Sequence, residues 1–368
     1  MSVLDVVAAR LGFERWEGKA AAREVESPYT WPVWAEGDPQ WTPSTLAGYA
    51  TEGYQCNAII YSCIARKAET AATVALRVYS GEHDKPEMAQ DGHPLAALMR
   101  RPNRYMSWFE MQELLITYLE LDGNCYIAKM RQRPAGAVEA LYPLRPDYVR
   151  HVAQGGELIG YIYQPEGGEP DPWLVDDIID VKYPDPLDLF EGLGRGRSPL
   201  MAAAHVGDVD NATTKFLRQF FDNAVVPFGL LKSKQKLLDG EIARIRGRLR
   251  AQYGGSRNWG DVMILDADAE YQRLGLSFQE MGFENLDARN EARICSVLKV
   301  PPILVGAKVG LDRSTFANYG EARRSFWEDT MLVVYRRFED QLNLQLAETE
   351  FPGYWLRCDF ADTSALRE

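Results

Sequence analysis

The stretch Gly306-Ala-Lys-Val-Gly310-Leu-Asp-Arg-Ser314-Thr315 carries the residue types of a phosphate-binding loop: two glycines, two cations (Lys308, Arg313) and two hydroxyls. The chemistry would be nucleotide binding, with backbone amides cradling phosphates and a lysine reaching the terminal ones. The spacing argues against it. The glycines stand too close together, and Asp312 falls where the lysine belongs, so its carboxylate would repel the phosphate. Gly192-Leu-Gly194-Arg-Gly196 does not place its third glycine after two intervening residues, as a dinucleotide fingerprint requires, and reads as a hinge before a helix. No G-x-S-x-G occurs, and Asp176-Asp177 and Glu328-Asp329 are adjacent pairs whose side chains diverge. The four histidines (His83, His93, His151, His205) have no metal-ligand spacing to one another or to cysteine. The five cysteines (Cys56, Cys63, Cys125, Cys295, Cys358) form no CxxC pair, which fits reduced, buried thiols. No cofactor and no metal is expected, and nothing here argues for catalysis.

A second constellation is a run of cations: Lys232, Lys234, Lys236, Arg244, Arg246, Arg248 and Arg250, extending to Arg257, with only Asp239 and Glu241 between them. On a helix starting at Asp239, Arg244/Arg248 and Arg246/Arg250 are neighbours one turn apart, with Ile242, Ile245 and Leu249 on the opposite side. Such a face suits an acidic partner, either phosphate or protein; a solvated face or salt bridges to an acidic neighbour explain it as well. The whole chain has a net charge of −12, the wrong balance for tight nucleic-acid binding. Its 368 residues suffice for two or three domain-sized units. No apolar run reaches membrane length and no secretory leader is evident, which makes the cytoplasm the default site of synthesis.

The elements that position these residues are mixed. Residues 1–45, with Trp16, Trp31, Trp34 and Trp41 among prolines, read as an extended arm. Apolar spacing predicts a helix over Asn57–Ala72, and alternation predicts a strand over Val74–Tyr79. Ser107 with Glu110 forms a capping-box signature for a helix to Leu121. Short strands are expected at Cys125–Met130, Val138–Tyr142, Tyr148–Val152, Leu158–Tyr163 and Ile178–Tyr183. Ser198-Pro199 starts a long helix to Asn223. Strands follow at Phe228–Leu231, Val262–Leu265 and Tyr271–Leu274, then a helix over Phe283–Lys299 stopped by Pro301-Pro302. A loop from Gly306 to Arg313 leads into a long helix from Ser314. Irregular alternation makes the fold class α+β, not a doubly wound sheet.

In order and spacing, several fragments resemble the portal proteins of tailed bacteriophages, the head–tail connectors. They are His93-Pro-Leu with Arg101-Pro-Asn103; Leu121-Asp-Gly-Asn124-Cys-Tyr126; Gly194-Arg-Gly-Arg-Ser-Pro-Leu200; Phe220-Phe-Asp-Asn-Ala-Val-Val-Pro227; Val300-Pro-Pro302 with Gly306; and Asn318-Tyr-Gly-Glu-Ala-Arg323 leading to Phe338-Glu-Asp-Gln-Leu-Asn343. The resemblance implies a ring, usually of twelve copies, at one capsid vertex, through which double-stranded DNA is packaged and ejected. It implies an α/β wing (46–196), a two-helix stem (197–227 and 278–300) and a small α/β clip (228–277). It also implies a tunnel loop (301–318), a long kinked wing helix (319–350), and a short or truncated crown or a C-terminal tail (351–368). By the same resemblance Val305, Lys308, Val309, Leu311 and Arg313 face the channel, with the glycines as hinges. The clip cations would meet the terminase motor large subunit, a head-completion or tail adaptor, or DNA. Further implied partners are the major capsid protein or scaffold; no membrane is expected, and the location is the virion, after assembly in host cytoplasm. The rival readings are a nucleotide-dependent enzyme using the Gly306 loop and a non-viral ring-forming scaffold.

Overall fold

The computed structural model describes residues 41–81, 86–89, 92–131, 136–154, 157–187, 194–223, 229–233, 269–273, 283–312, 315–361 and 363. It divides into two units: Met1–His205 with Glu291–Glu368, and Val206–Asn290.

In the larger unit, helix α1 (Ala58–Ala72) is capped by Asn57, whose Oδ1 accepts from the amides of Ile59 and Ile60. It packs on helix α3 (Trp108–Asp122), which follows the short helix α2 (Pro94–Arg100). The capping box at the start of α3 is complete: Ser107 Oγ accepts from Glu110 N–H, and Glu110 accepts from Ser107 N–H. That bonding, first from the Ser107 amide, holds the Glu110 carboxyl below the usual range.

Three antiparallel sheets complete the unit. Strand β1 (Ala75–Ser80) lies between β2 (Glu87–Met88) and β11 (Tyr354–Asp359). Strand β3 (Asn124–Arg131) lies between β4 (Val138–Leu144) and β8 (Ile178–Lys182). Strand β6 (Glu157–Tyr163) lies between β5 (Val149–Gln154) and β7 (Asp171–Leu174). Tyr126, Ala128, Leu144, Val149, Tyr161 and Ile178 form a shared core between the last two sheets. The pairing of β11 with β1 differs from the expectation of a crown or tail at 351–368. The stretch alternates Leu356 and Cys358 inward and Arg357 outward, and it closes a sheet edge opened some 280 residues earlier.

Helix α4 (Leu200–Asn223) begins after Ser198, whose Oγ accepts from Leu200 N–H at 3.0 Å. In the smaller unit, strands β9 (Gly229–Ser233) and β10 (Ala269–Arg273) pair antiparallel. Helix α5 (Phe283–Val297) returns to the larger unit. The expected strand Val262–Leu265 and the expected helix from Asp239 lie outside the described residues.

After the short helix α6 (Lys308–Leu311), the chain runs as α7 (Phe316–Ser325), a π-helical turn (Phe326–Met331), α8 (Leu332–Leu342), a second π turn (Asn343–Ala347) and a last helical turn to Glu350. The helix starts two residues later than the expected Ser314, because Thr315 is the cap: its side chain accepts from Asn318 N–H. The second π turn aims two amides at two sheet edges. Asn343 exchanges hydrogen bonds with the backbone of Leu356 in β11 (2.6 and 2.9 Å), and Gln345 does so with Asp180 in β8 (2.9 and 3.1 Å). Each side chain stands in for a missing strand and blunts an open edge. Lys129 donates to the Gln345 carbonyl, and Glu350 takes two bonds from Arg131, so the long helix is tied firmly to the β4–β3–β8 sheet. Arg131 and Lys129 hold the Glu350 carboxyl below its usual range.

Among the described residues, no helix is long and apolar enough to cross a membrane, and no group of three His, Cys, Asp or Glu could hold a metal ion.

Candidate functional site

The segment that joins α5 to the long helix is built from a left-handed turn. Lys299 is the one non-glycine residue with positive φ among those described, at 56°. Val300 N–H reaches back to Cys295 O (3.0 Å) and Lys299 N–H to Ser296 O (3.2 Å), the two bonds of a Schellman helix stop with a lysine where glycine is usual. Thr330 Oγ1 donates to the Lys299 carbonyl at 2.8 Å and fixes the turn from the first π turn of the long helix. Pro301 and Pro302 follow, since neither can continue α5.

Pro302–Val305 then forms one turn of 3-10 helix, ending at Gly306 in the left-handed region (φ 72°). Ala307 caps α6, and Val309 N–H donates to Glu291 Oε2 at 3.3 Å. Leu304 and Ala307 are buried and anchor the segment. The 3-10 turn packs on α1 and α7. Gly310 sits against the backbone of the same turn: an added Cβ would lie 2.3 Å from Ile303 N and 2.6 Å from Pro302 C.

This geometry corrects the expectation of an open loop between two glycine hinges. Residues 302–311 fold into a compact helical knuckle. Gly306 supplies the left-handed turn, whereas Gly310 is required for close approach rather than for bending. The knuckle is also no phosphate cradle. The amides of Ala307, Gly310, Leu311 and Asp312 all bond to backbone carbonyls, and that of Val309 to a carboxylate.

Of the residues singled out in sequence, Lys308, Val309 and Leu311 share the exposed side of the knuckle, while Val305 is half-buried. Arg313 lies outside the described residues. So do Lys234, Lys236, Arg244, Arg246, Arg248 and Arg250; Lys232 belongs to β9, where it pairs with Glu270 in register. Sequence reasoning missed Lys299, Thr330 and Glu291. The signal for the first was present, because a proline pair just past a helix end marks a left-handed stop.

The model of the family "Phage portal protein" matches residues 58–368. Curated relatives include uncharacterized proteins of Rickettsia bellii (strain RML369-C), 26% identical over 79% of this chain and 74% of that protein, and of Rickettsia felis (strain ATCC VR-1525 / URRWXCal2), 25% identical over the same shares. Among solved structures, the neck of an empty GTA particle computed with C6 symmetry aligns with a TM-score of 0.67 at 28% identity, covering 90% of this chain and 88% of that one. The neck of the native GTA particle computed with C12 symmetry aligns with a TM-score of 0.65 at the same identity and coverage. An HK97-family phage portal protein from Corynebacterium diphtheriae aligns with a TM-score of 0.57 at 13% identity, over 88% of this chain and 97% of that one, a likeness of fold. With a family match running from α1 to the C-terminus, the chain belongs to the phage portal protein family.

Proposed function

We propose that copies of this chain close into a ring at one vertex of a capsid and that double-stranded DNA passes through its centre during packaging and ejection. Membership of the portal family over residues 58–368 carries this reading. Similarity to a neck resolved with C12 symmetry supports twelve copies. Rotational closure needs a head-to-tail interface, with different faces of one subunit meeting the next.

Within that ring the knuckle is the tunnel element. Exposed Lys308, together with Arg313 beyond it, makes brief phosphate contacts, and Val309 and Leu311, with Val305 behind them, form an apolar constriction. Their exposure in the single subunit supports this assignment. A net charge of −12 suits a duct that must not trap DNA, with local cations giving contacts that salt screens. The cations from Lys232 to Arg250 serve docking of the terminase large subunit or of a head-completion or tail adaptor, or DNA at the exit. The outer rim meets the major capsid protein or scaffold, and the ring assembles in host cytoplasm before it joins the virion.

The test is packaging by particles carrying Lys308→Ala with Arg313→Ala. Reduced packaging rate and yield in normally assembled rings is expected; wild-type rate and yield would remove the contact role. Charge reversal at Arg246 and Arg250 should abolish motor binding, and intact binding would count against docking there.

A further inference from the structure

Two buried thiols outside the knuckle meet where α1 crosses the last turn of α5. Cys63 Sγ and Cys295 Sγ are 3.8 Å apart, and the two side chains are 0% and 1% exposed. They come from positions 232 residues apart, so the fold alone brings them together. Closing to disulfide length needs a relative shift of about 1.8 Å. A groove of about 350 Å³ runs between the end of α5 and the first π turn of the long helix, and Cys295 lines it with Ser296, Lys299, Pro302, Asp329 and Thr330. Cys63 lies behind Cys295, with the buried Lys67–Glu120 ion pair beside it.

We propose that Cys295 and Cys63 form a two-thiol redox site, in which a small hydroperoxide entering the groove oxidises Cys295 and Cys63 then closes a reversible disulfide. In the first step the Cys295 sulfur attacks one peroxide oxygen. An S–O bond forms, the O–O bond breaks, and the alcohol (water, for hydrogen peroxide) leaves with the thiol proton. In the second step Cys63 attacks the sulfenic sulfur, the S–S bond forms, the S–O bond breaks, and water leaves with the second proton. Two thiols lose two electrons and the peroxide gains them.

The order of attack follows from position, because of the two cysteines Cys295 is the one that lines the groove. Charge agrees with it: the hydrogen bond from Cys63 draws the Cys295 thiol down from its usual range, while hydrogen bonding to Cys295 and then burial push Cys63 up. The groups that face the pair include Lys67 and Glu120 toward Cys63 and Glu291 toward Cys295. The disulfide would lock the C-terminal turn of α5 to α1 immediately before the Lys299 turn, and so fix the base of the knuckle.

The experiment treats the full chain, carrying Cys56→Ser to remove the exposed thiol, with hydrogen peroxide. Intact mass should fall by about 2 Da, reversibly with a dithiol reductant, as two hydrogens leave. Peptide mapping should find Cys63 joined to Cys295, while Cys125 and Cys358 stay free. With Cys63→Ser added, Cys295 should instead accumulate a sulfenic acid trapped by dimedone. Unchanged mass with all thiols free would overturn the proposal. So would oxidation of Cys295 to sulfinic acid with no cross-link in the chain that keeps Cys63.

Discussion

Replacing Gly310 by alanine tests the knuckle at its tightest point. Gly310 lies in α6 with ordinary helical backbone, so alanine meets no conformational penalty, and in open space it would gain about 0.5–1 kcal/mol from reduced unfolded-state freedom. The space is not open. The new Cβ would lie 2.3 Å from Ile303 N, 2.6 Å from Pro302 C and 2.7 Å from Ile303 Cα, against an ordinary contact distance of 3.4 Å or more. All three neighbours are backbone, so no side chain can swing away, and the 3-10 turn must retreat by about 1 Å. Overpacking of this kind costs typically 1–3 kcal/mol, and the rigid wall puts this case at the upper end. The net expected loss is about 2 kcal/mol. Urea unfolding of the isolated chain, followed by circular dichroism, should show a lower midpoint with little change in slope, and hydrogen exchange should show the amides of Leu311 and Asp312 losing protection. A variant as stable as wild type, with those amides still protected, would mean that α6 does not dock on Pro302–Ile303.

Four further outcomes are expected. Lys299→Gly should stabilise the chain by about 1 kcal/mol in the same unfolding assay, because it relieves a left-handed lysine while keeping the Schellman bonds. Gly320→Ala should also stabilise it, by about 1 kcal/mol, since an added methyl meets nothing within 4 Å on that helix. Glu350→Ala should cost about 2 kcal/mol by removing its charged bonds to Arg131 and Lys129, although Arg131 keeps Asp177 and Lys129 keeps the Gln345 carbonyl, and thermal unfolding would show it; a neutral result would mean that the long helix is not tied to the sheet there. Asp180 sets a pH dependence. Burial raises its carboxyl to about 6 against an ordinary 3.8, so the folded chain holds the proton more tightly than the unfolded chain. Its contribution is fully present below pH 3.8 and is lost as pH rises through about 6; the loss is on the order of 2–3 kcal/mol. Asp180→Asn should remove that decline, read as the difference between the two stability–pH curves from pH 4 to 7.

How much of this was legible in the chain depended on range. The Ser107–Glu110 box and the Ser198 cap were readable because donor and acceptor lie within three residues of each other. Strands β3 to β6 and β8 were readable because alternation and turn residues are also local. Strand β11 was not: its six residues alternate correctly, but only pairing with β1, far back in the chain, makes them a strand. The second π turn was invisible for the same reason, since Asn343 and Gln345 gain their partners from β11 and β8. At the knuckle the glycines announce an unusual backbone but not whether they bend or pack. Packing alone distinguishes Gly306, which needs its positive φ, from Gly310, which needs its missing Cβ. The thiol pair was likewise hidden, because Cys63 and Cys295 read as scattered singles until α1 and α5 met.

We propose a DNA-conducting ring of this chain whose narrowest part is the Lys308–Leu311 knuckle. Electron microscopy of the purified assembly, carried to side-chain detail, tests it directly. A closed ring is expected, twelve-fold in the particle, with Lys308, Val309 and Leu311 nearest the axis of an open central channel. A chain that remains monomeric or dimeric, or a ring that carries this knuckle on its outer surface, would contradict it.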